Sequence, residues 1–125
     1  MREEIENWWK QAKKDLQAAK NSLKSGDYEW ACFQSNQAVE KALKALFLKE
    51  KKALAPSHNL ISLGRSLNLS ADLIDSLKEL NPEYTLARYP DAANAAPFET
   101  YTEKKAREKI AHAEKILKWT ERRLK

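Results

Sequence analysis

YEWACFQSNQAVEKALKALFLK, residues 28–49, carries two apolar stripes at once, and the fold can be read outward from it. Bulky side chains recur along it at helical steps: Phe33 (or Cys32), Val39, Leu43, Leu46 and Phe47. A second stripe runs beside the first, made of Ala31, Ser35, Ala38, Ala42 and Ala45. Spacings of three and four place each set on one face of an α-helix. Small residues let a neighbouring backbone approach closely. Two stripes here, with the adjacent Trp8 and Trp9 of the preceding helix, are more apolar faces than one small bundle covers, which predicts a homodimer.

The chain on either side repeats the helical pattern. Ile5, Trp8, Trp9, Ala12, Leu16, Ala19 and Leu23 form one apolar stripe, which predicts a first helix over residues 3–24. Ser25, Gly26 and Asp27 break it. Glycine suits the position after a helix end, and aspartate suits the cap of the next. So short a connection makes the two helices antiparallel neighbours. Beyond a loop at residues 50–57, Ser57 is the expected cap of a short helix with Leu60, Ile61, Leu63 and Leu67 inward. Ser70 is expected to cap another, with Leu73, Ile74, Leu77 and Leu80 inward, and Asn81 is read as the cap of a new turn at Pro82. Residues 85–99 hold two prolines and no sustained period, which predicts an ordered, irregular loop. Thr100 and Glu103 are spaced as a capping box for a last helix, whose inner stripe is Ala106, Ile110, Ala113, Leu117 and Leu124.

Composition agrees. Alanine, leucine, lysine and glutamate dominate, valine occurs once, and two glycines and four prolines leave little for flexible segments. The 125 residues suffice for one domain, 1–125, around one core. The expected fold is all-α: an up-and-down bundle of three long and two short helices. No apolar run reaches the roughly 20 residues of a membrane span. The first residues lack the apolar stretch of a signal peptide, and a single cysteine, Cys32, excludes an internal disulfide and any multi-cysteine zinc site. A cytoplasmic protein is expected, with Cys32 acting as a small buried hydrophobe. The net charge of +5 is that of residues 101–125 alone, which carry nine Lys/Arg against four Glu. The interleaved glutamates suggest a solvated helix surface with pairs such as Glu103–Arg107, rather than a nucleic-acid face.

Catalytic signatures are scarce. The two histidines, His58 and His112, stand far apart with no second ligand pattern, so neither a metal site nor a cofactor is expected. Two loop features can bind an anion. One is the helix start at Ser57-His58-Asn59, where N–H groups and His58 can meet a phosphate, the competing reading being a histidine that only caps or packs at the helix start. The other is Arg88-Tyr89-Pro90-Asp91: Arg88 can grip a phosphate, Tyr89 can stack on a base and Asp91 can orient Arg88. The competing reading of the latter is an Arg88–Asp91 pair that only pins the loop. Trp8 and Trp9 lie about 100° apart around their helix, so at most one is central in the core.

Residues 30–45, together with Trp9, Ala12, Asp15, Leu16 and Ala19, the Ser57–Leu60 segment and Arg88–Asp91, resemble prokaryotic HEPN domains. The resemblance covers essentially the whole chain. It implies a five-helix bundle, usually dimeric, and a frequent partner, a minimal nucleotidyltransferase, in toxin–antitoxin or related defence systems. It also implies nucleotide binding, which has been proposed for such domains. Many HEPN proteins are ribonucleases with an Arg-x4–6-His motif. After Arg88 the corresponding positions are Ala93, Asn94 and Ala95. A formal match exists at Arg107 and His112, but five helical steps set those residues about 140° apart. The reading that follows is a non-catalytic, homodimeric binding module for a nucleotide or a nucleotidyltransferase. Its ligand residues are His58, Arg88, Tyr89 and Asp91. The alternative is a metal-independent ribonuclease using Arg107 and His112.

Overall fold

The computed structural model describes residues 2–125. Three long helices dominate: α1 (Arg2–Ser25), α2 (Tyr28–Lys51) and α8 (Glu103–Leu124). Between α2 and α8 lie α3 (Leu60–Ser66), α4 (Ala71–Leu80) and three single turns, α5 (Glu83–Leu86), α6 (Pro90–Ala93) and α7 (Pro97–Thr100). The described residues contain no strand.

The first connection is tight for a stereochemical reason. Gly26 takes φ +79°, which a side chain disfavours. The Asp27 N–H donates to the Ser22 carbonyl at 2.9 Å and the Gly26 N–H to the Leu23 carbonyl at 3.2 Å. This is the paired pattern of a Schellman stop. Asp27 occupies the expected cap position of α2 but makes no side-chain capping bond. An ion pair from Lys41 to Asp15 then ties α2 back to α1.

α2 is the axis of the bundle, in contact with α1, α3, α4, α5, α7 and α8. Ala31, Cys32, Ala38, Val39, Ala42, Leu43, Ala45 and Leu46 are each fully buried. Both stripes are thus used within the subunit: Ala38, Val39, Ala42, Leu43 and Leu46 lie in the main core, Ala31 and Cys32 in a second cluster, and Phe33 and Phe47 are half-buried against them. Leu60, Leu63, Leu67, Leu73, Ile74, Leu77 and Leu80 of the two short helices close that core. Ala106, Ile110, Ala113 and Leu117 of α8 are buried as the stripe predicted.

Local signals misplaced some boundaries. Asn59, not Ser57, caps α3, its Oδ1 accepting from the Ser62 N–H at 3.0 Å. Ser57 instead accepts from the Asn59 N–H one step earlier. Asn81 reaches back across the fold to accept from the Leu60 N–H at 3.0 Å, rather than capping α5. Thr102, not Thr100, caps α8. Thr100 is held in the preceding turn, α7. Ser70 caps α4 as expected. The stretch 85–99 is less irregular than its prolines suggest, because Pro90 and Pro97 each start a helical turn, where a missing N–H costs nothing.

Gly64 marks a close approach within the short-helix layer. A Cβ there would press into Leu77 Cδ1 and stand 3.0 Å from Ile74 Cδ1. Gly64→Ala is therefore expected to lower stability by about 1–3 kcal/mol despite alanine's better helix propensity. Urea denaturation is the measurement, and an unchanged or raised midpoint would show that the layer yields freely.

Candidate functional site

Arg88 follows α5 and lies over three aromatic rings. Its guanidinium carbon is 4.3 Å from the centroid of Phe33, 4.6 Å from Tyr84 and 4.8 Å from Tyr89. Nε donates to the Tyr84 carbonyl at 2.8 Å. Each ring contributes about 0.5–1 kcal/mol at such an exposed site. The head group is therefore oriented before any ligand arrives. Its two Nη nitrogens make no hydrogen bond to the described residues.

His58 also meets Tyr84, the two rings stacked with centroids 6.3 Å apart and planes 25° from parallel. Tyr84 thus joins the two loop segments that the sequence singled out. The imidazole Nδ1 lies 2.6 Å from Glu40 Oε2, on which Lys44 Nζ also converges at 2.7 Å. The Lys44 ammonium lies over the Trp8 ring at 5.4 Å. Phe33 meets Tyr84 at 6.4 Å and Trp30 edge-on at 5.9 Å. Trp30, Tyr84 and Tyr89 are all exposed. The result is a continuous aromatic surface carrying one arginine and one histidine.

Two details of the expected site change. At the start of α3 the Ser57, Asn81 and Asn59 side chains take the N–H groups of Asn59, Leu60 and Ser62, while those of His58 and Ile61 have no acceptor among the described residues. What remains there for a ligand is these two N–H groups and the His58 ring. Asp91 is exposed on α6 and forms no ion pair with Arg88 among the described residues. Orientation of Arg88 falls to Tyr84 and the rings, so neither the pinning pair nor an orienting Asp91 is seen. Lys44, Phe33 and Tyr84 belong to this surface and Glu40 lies beneath it, and the sequence pattern does not single them out for it. Position within a helical stripe carries no signal of which loop will fold against it.

Arg107 and His112 are not brought together within the chain. Arg107 is exposed, pairs with Glu103 at 2.8 Å and lines a groove of about 700 Å³ with Lys20 and Lys24 of α1. His112 turns the other way, its Nδ1 3.1 Å from the hydroxyl of buried Ser76 on α4.

A second polar group lies under the bundle surface. Glu83, 2% exposed, accepts a short hydrogen bond from the Tyr101 hydroxyl and faces Lys109 Nζ at 3.7 Å. Lys109 Nζ also donates to the Glu79 carbonyl at 2.6 Å. Burial, reinforced by the Glu83 charge, pushes the nearby Cys32 thiol from its ordinary 9.0 up to about 12. Burial and the bond to Glu83 likewise raise Tyr101 well above its ordinary range. Such a thiol stays protonated and inert at neutral pH.

The HEPN domain model matches residues 5–123. The chain belongs to the HEPN family. Its fold is that of HEPN structures already solved. The archaeal HEPN homologue ST0689 is 39% identical, with a TM-score of 0.84 over 97% of this chain and 98% of that one. TT1696 of Thermus thermophilus is 37% identical, with a TM-score of 0.88 over 95% of this chain and 97% of that one. Among curated relatives, the candidate toxin MJ1304 of Methanocaldococcus jannaschii is 30% identical over 122 residues, 86% of this chain and 80% of that protein. No helix among the described residues of this HEPN chain is long and apolar enough to cross a membrane.

The buried acids predict an alkaline limit to stability. Both groups bind their protons more tightly when folded, so their contribution is complete below pH 9 and is lost as pH rises toward the folded value. Urea stability should hold to about pH 9 and decline above it. Cys32→Ala should remove the earliest part of the decline, and a flat profile to about pH 11 would contradict the assignment. Lys109→Met leaves Glu83 buried without its cation and should cost about 3–5 kcal/mol, read from the same denaturation curves.

Proposed function

We propose that this HEPN protein is a non-catalytic binding module that receives a nucleotide on the aromatic surface around Arg88, working with a minimal nucleotidyltransferase partner in a toxin–antitoxin or defence setting. One observation carries the reading: Arg88 is held by the Tyr84 carbonyl and three rings, with both Nη nitrogens uncommitted. A guanidinium in that state suits bidentate recognition of a phosphate. Tyr89 supplies a face for a base, and His58 a second polar contact across Tyr84. The toxin name of the Methanocaldococcus jannaschii relative supports the biological setting.

The second reading is a metal-independent ribonuclease. It is favoured by the Arg107–His112 spacing and that same relative. Metal-free RNA cleavage needs a base and an acid near the 2′-hydroxyl and leaving oxygen, with a cation on the phosphate. Within one subunit Arg107 and His112 meet different neighbours, Glu103 and Ser76. A symmetric dimer would have to pair them between chains.

Calorimetry against ATP and GTP tests the binding reading. Arg88→Ala should weaken a nucleotide by about 1.5–3 kcal/mol, the range for a charge-assisted bond. Unchanged affinity rejects the site, and no binding by the parent protein leaves only the protein-partner form of the proposal. The purified protein should not cleave structured or unstructured RNA. Cleavage abolished by His112→Ala, but not by His58→Ala, would establish the ribonuclease instead. Light scattering should report the mass of a homodimer, whose interface at the usual size would bury roughly 1,600 Å². A clean 14.4 kDa monomer at tens of micromolar would refute that part.

A further inference from the structure

The aromatic surface has a buried foundation that the binding reading does not use. Glu40 lies on α2 and is 5% exposed, yet it carries a carboxylate. Its Oε2 takes two close neighbours, His58 Nδ1 at 2.6 Å and Lys44 Nζ at 2.7 Å. Its Oε1 is buried with no hydrogen-bond partner among the described residues. A carboxylate this deep costs free energy unless its bonds compensate, and an unsatisfied buried oxygen adds to the cost. Leu43 and Leu46 on the same helix show what packing alone would select.

The geometry assigns a proton. Two lone pairs do not approach to 2.6 Å, so a hydrogen must lie between Nδ1 and Oε2. Oε2 already serves as acceptor for the Lys44 ammonium, and a carboxylate in that role has no proton to give. The hydrogen therefore belongs to Nδ1. The 3.0 Å separation of Lys44 Nζ from Nδ1 is then the side-by-side approach of two donors to one acceptor. With Nδ1 protonated and turned inward, the neutral ring has Nε2 as its remaining nitrogen, and that atom is an acceptor. Stacking on Tyr84 fixes the ring plane. The His58 side chain is 70% exposed, so the outer edge of the ring is open to a ligand.

We propose that Glu40 is a positioning residue that holds His58 in its Nδ1–H form, so that His58 Nε2 accepts a hydrogen bond from a ligand N–H or O–H and leaves the phosphate to Arg88. This rests on the nucleotide reading of the same surface and makes it more specific. In ATP the matching donors are the ribose hydroxyls and the amino group of the base. Lys44, clamped between Glu40 and the Trp8 ring, is the counter-charge that keeps the carboxylate an acceptor.

Imidazole nitrogen NMR at about pH 8, where a free histidine is neutral, tests the first half in the ligand-free protein. Only two histidines contribute, and His112→Ala identifies the His58 signals. The parent protein should show His58 protonated on Nδ1, and Glu40→Gln should move the proton to Nε2. An Nε2–H form in the parent overturns the proposal. Calorimetry then tests the second half, with a thermal melt to confirm that each variant is folded. Glu40→Gln and His58→Ala should each weaken ATP about tenfold, and the double variant should lose no more than either single one. Equal ATP affinity in Glu40→Gln and the parent, alongside a loss in Arg88→Ala, overturns the proposal while the nucleotide site stands. Weakened binding of 2′,3′-dideoxy-ATP by the parent, with ITP unaffected, assigns the donor to the ribose, and the reverse assigns it to the base. Full affinity for both overturns the acceptor role. Failure of the parent to bind any nucleotide while His58 is Nδ1–H sinks the nucleotide reading and, with it, the ligand half of this one, while the positioning half is upheld.

Discussion

Burial of α2 on nearly all sides is the constraint from which the rest of the fold follows. A helix covered on several faces cannot carry large residues all round, because the neighbouring backbones would be held apart. Ala31, Ala38, Ala42 and Ala45 admit those neighbours, while Val39, Leu43 and Leu46 fill the space left between them. Once α2 is central, α1 and α8 pack along it, and the short helices must close the remaining side. Polar groups on α2 are then either expelled or given partners. Asn36 donates to the Leu80 carbonyl at 2.9 Å, closing the end of α4. Glu40 is paired with Lys44 and His58.

The segment between α4 and α8 depends on a second buried polar group. Glu83 at the start of α5, Tyr101 just before α8 and Lys109 within α8 come from different elements and meet below the surface. Removing one member leaves the others unsatisfied in a low-dielectric setting, which costs more than the intact group gains. This arrangement ties α5 and the end of α7 to α8. It also sets the position of Tyr84, the neighbour of Glu83, and through Tyr84 the placement of Arg88. The candidate site is thus tied to the core through one peptide step.

Much of the local architecture is legible from neighbouring residues. Gly26 as a helix stop, Ser70 as a cap, the Glu103–Arg107 pair and the inward leucines of α4 all depend on interactions within a few positions. The misplaced caps have one cause. Ser57, Asn59, Asn81, Thr100 and Thr102 are all chemically able to cap, and the packing of α3 against α4 selects among the first three. The prolines at 90 and 97 read equally well as loop breakers or helix starters. Arg88 and Asp91 are three positions apart, near enough to suggest a pair, yet the ring faces of Phe33, Tyr84 and Tyr89 hold the guanidinium instead.

Periodicity, stereochemistry and composition are local properties, and they are enough to set the all-helical class and the antiparallel start; the family shows instead in the particular residues of 30–45, 57–60 and 88–91 that resemble HEPN domains. The site is a different matter. Tyr84 touches both His58 and Arg88, and Glu40 lies beneath His58, through contacts between separate elements. Their geometry is set by how the short helices close on α2, and no spacing along the chain encodes it.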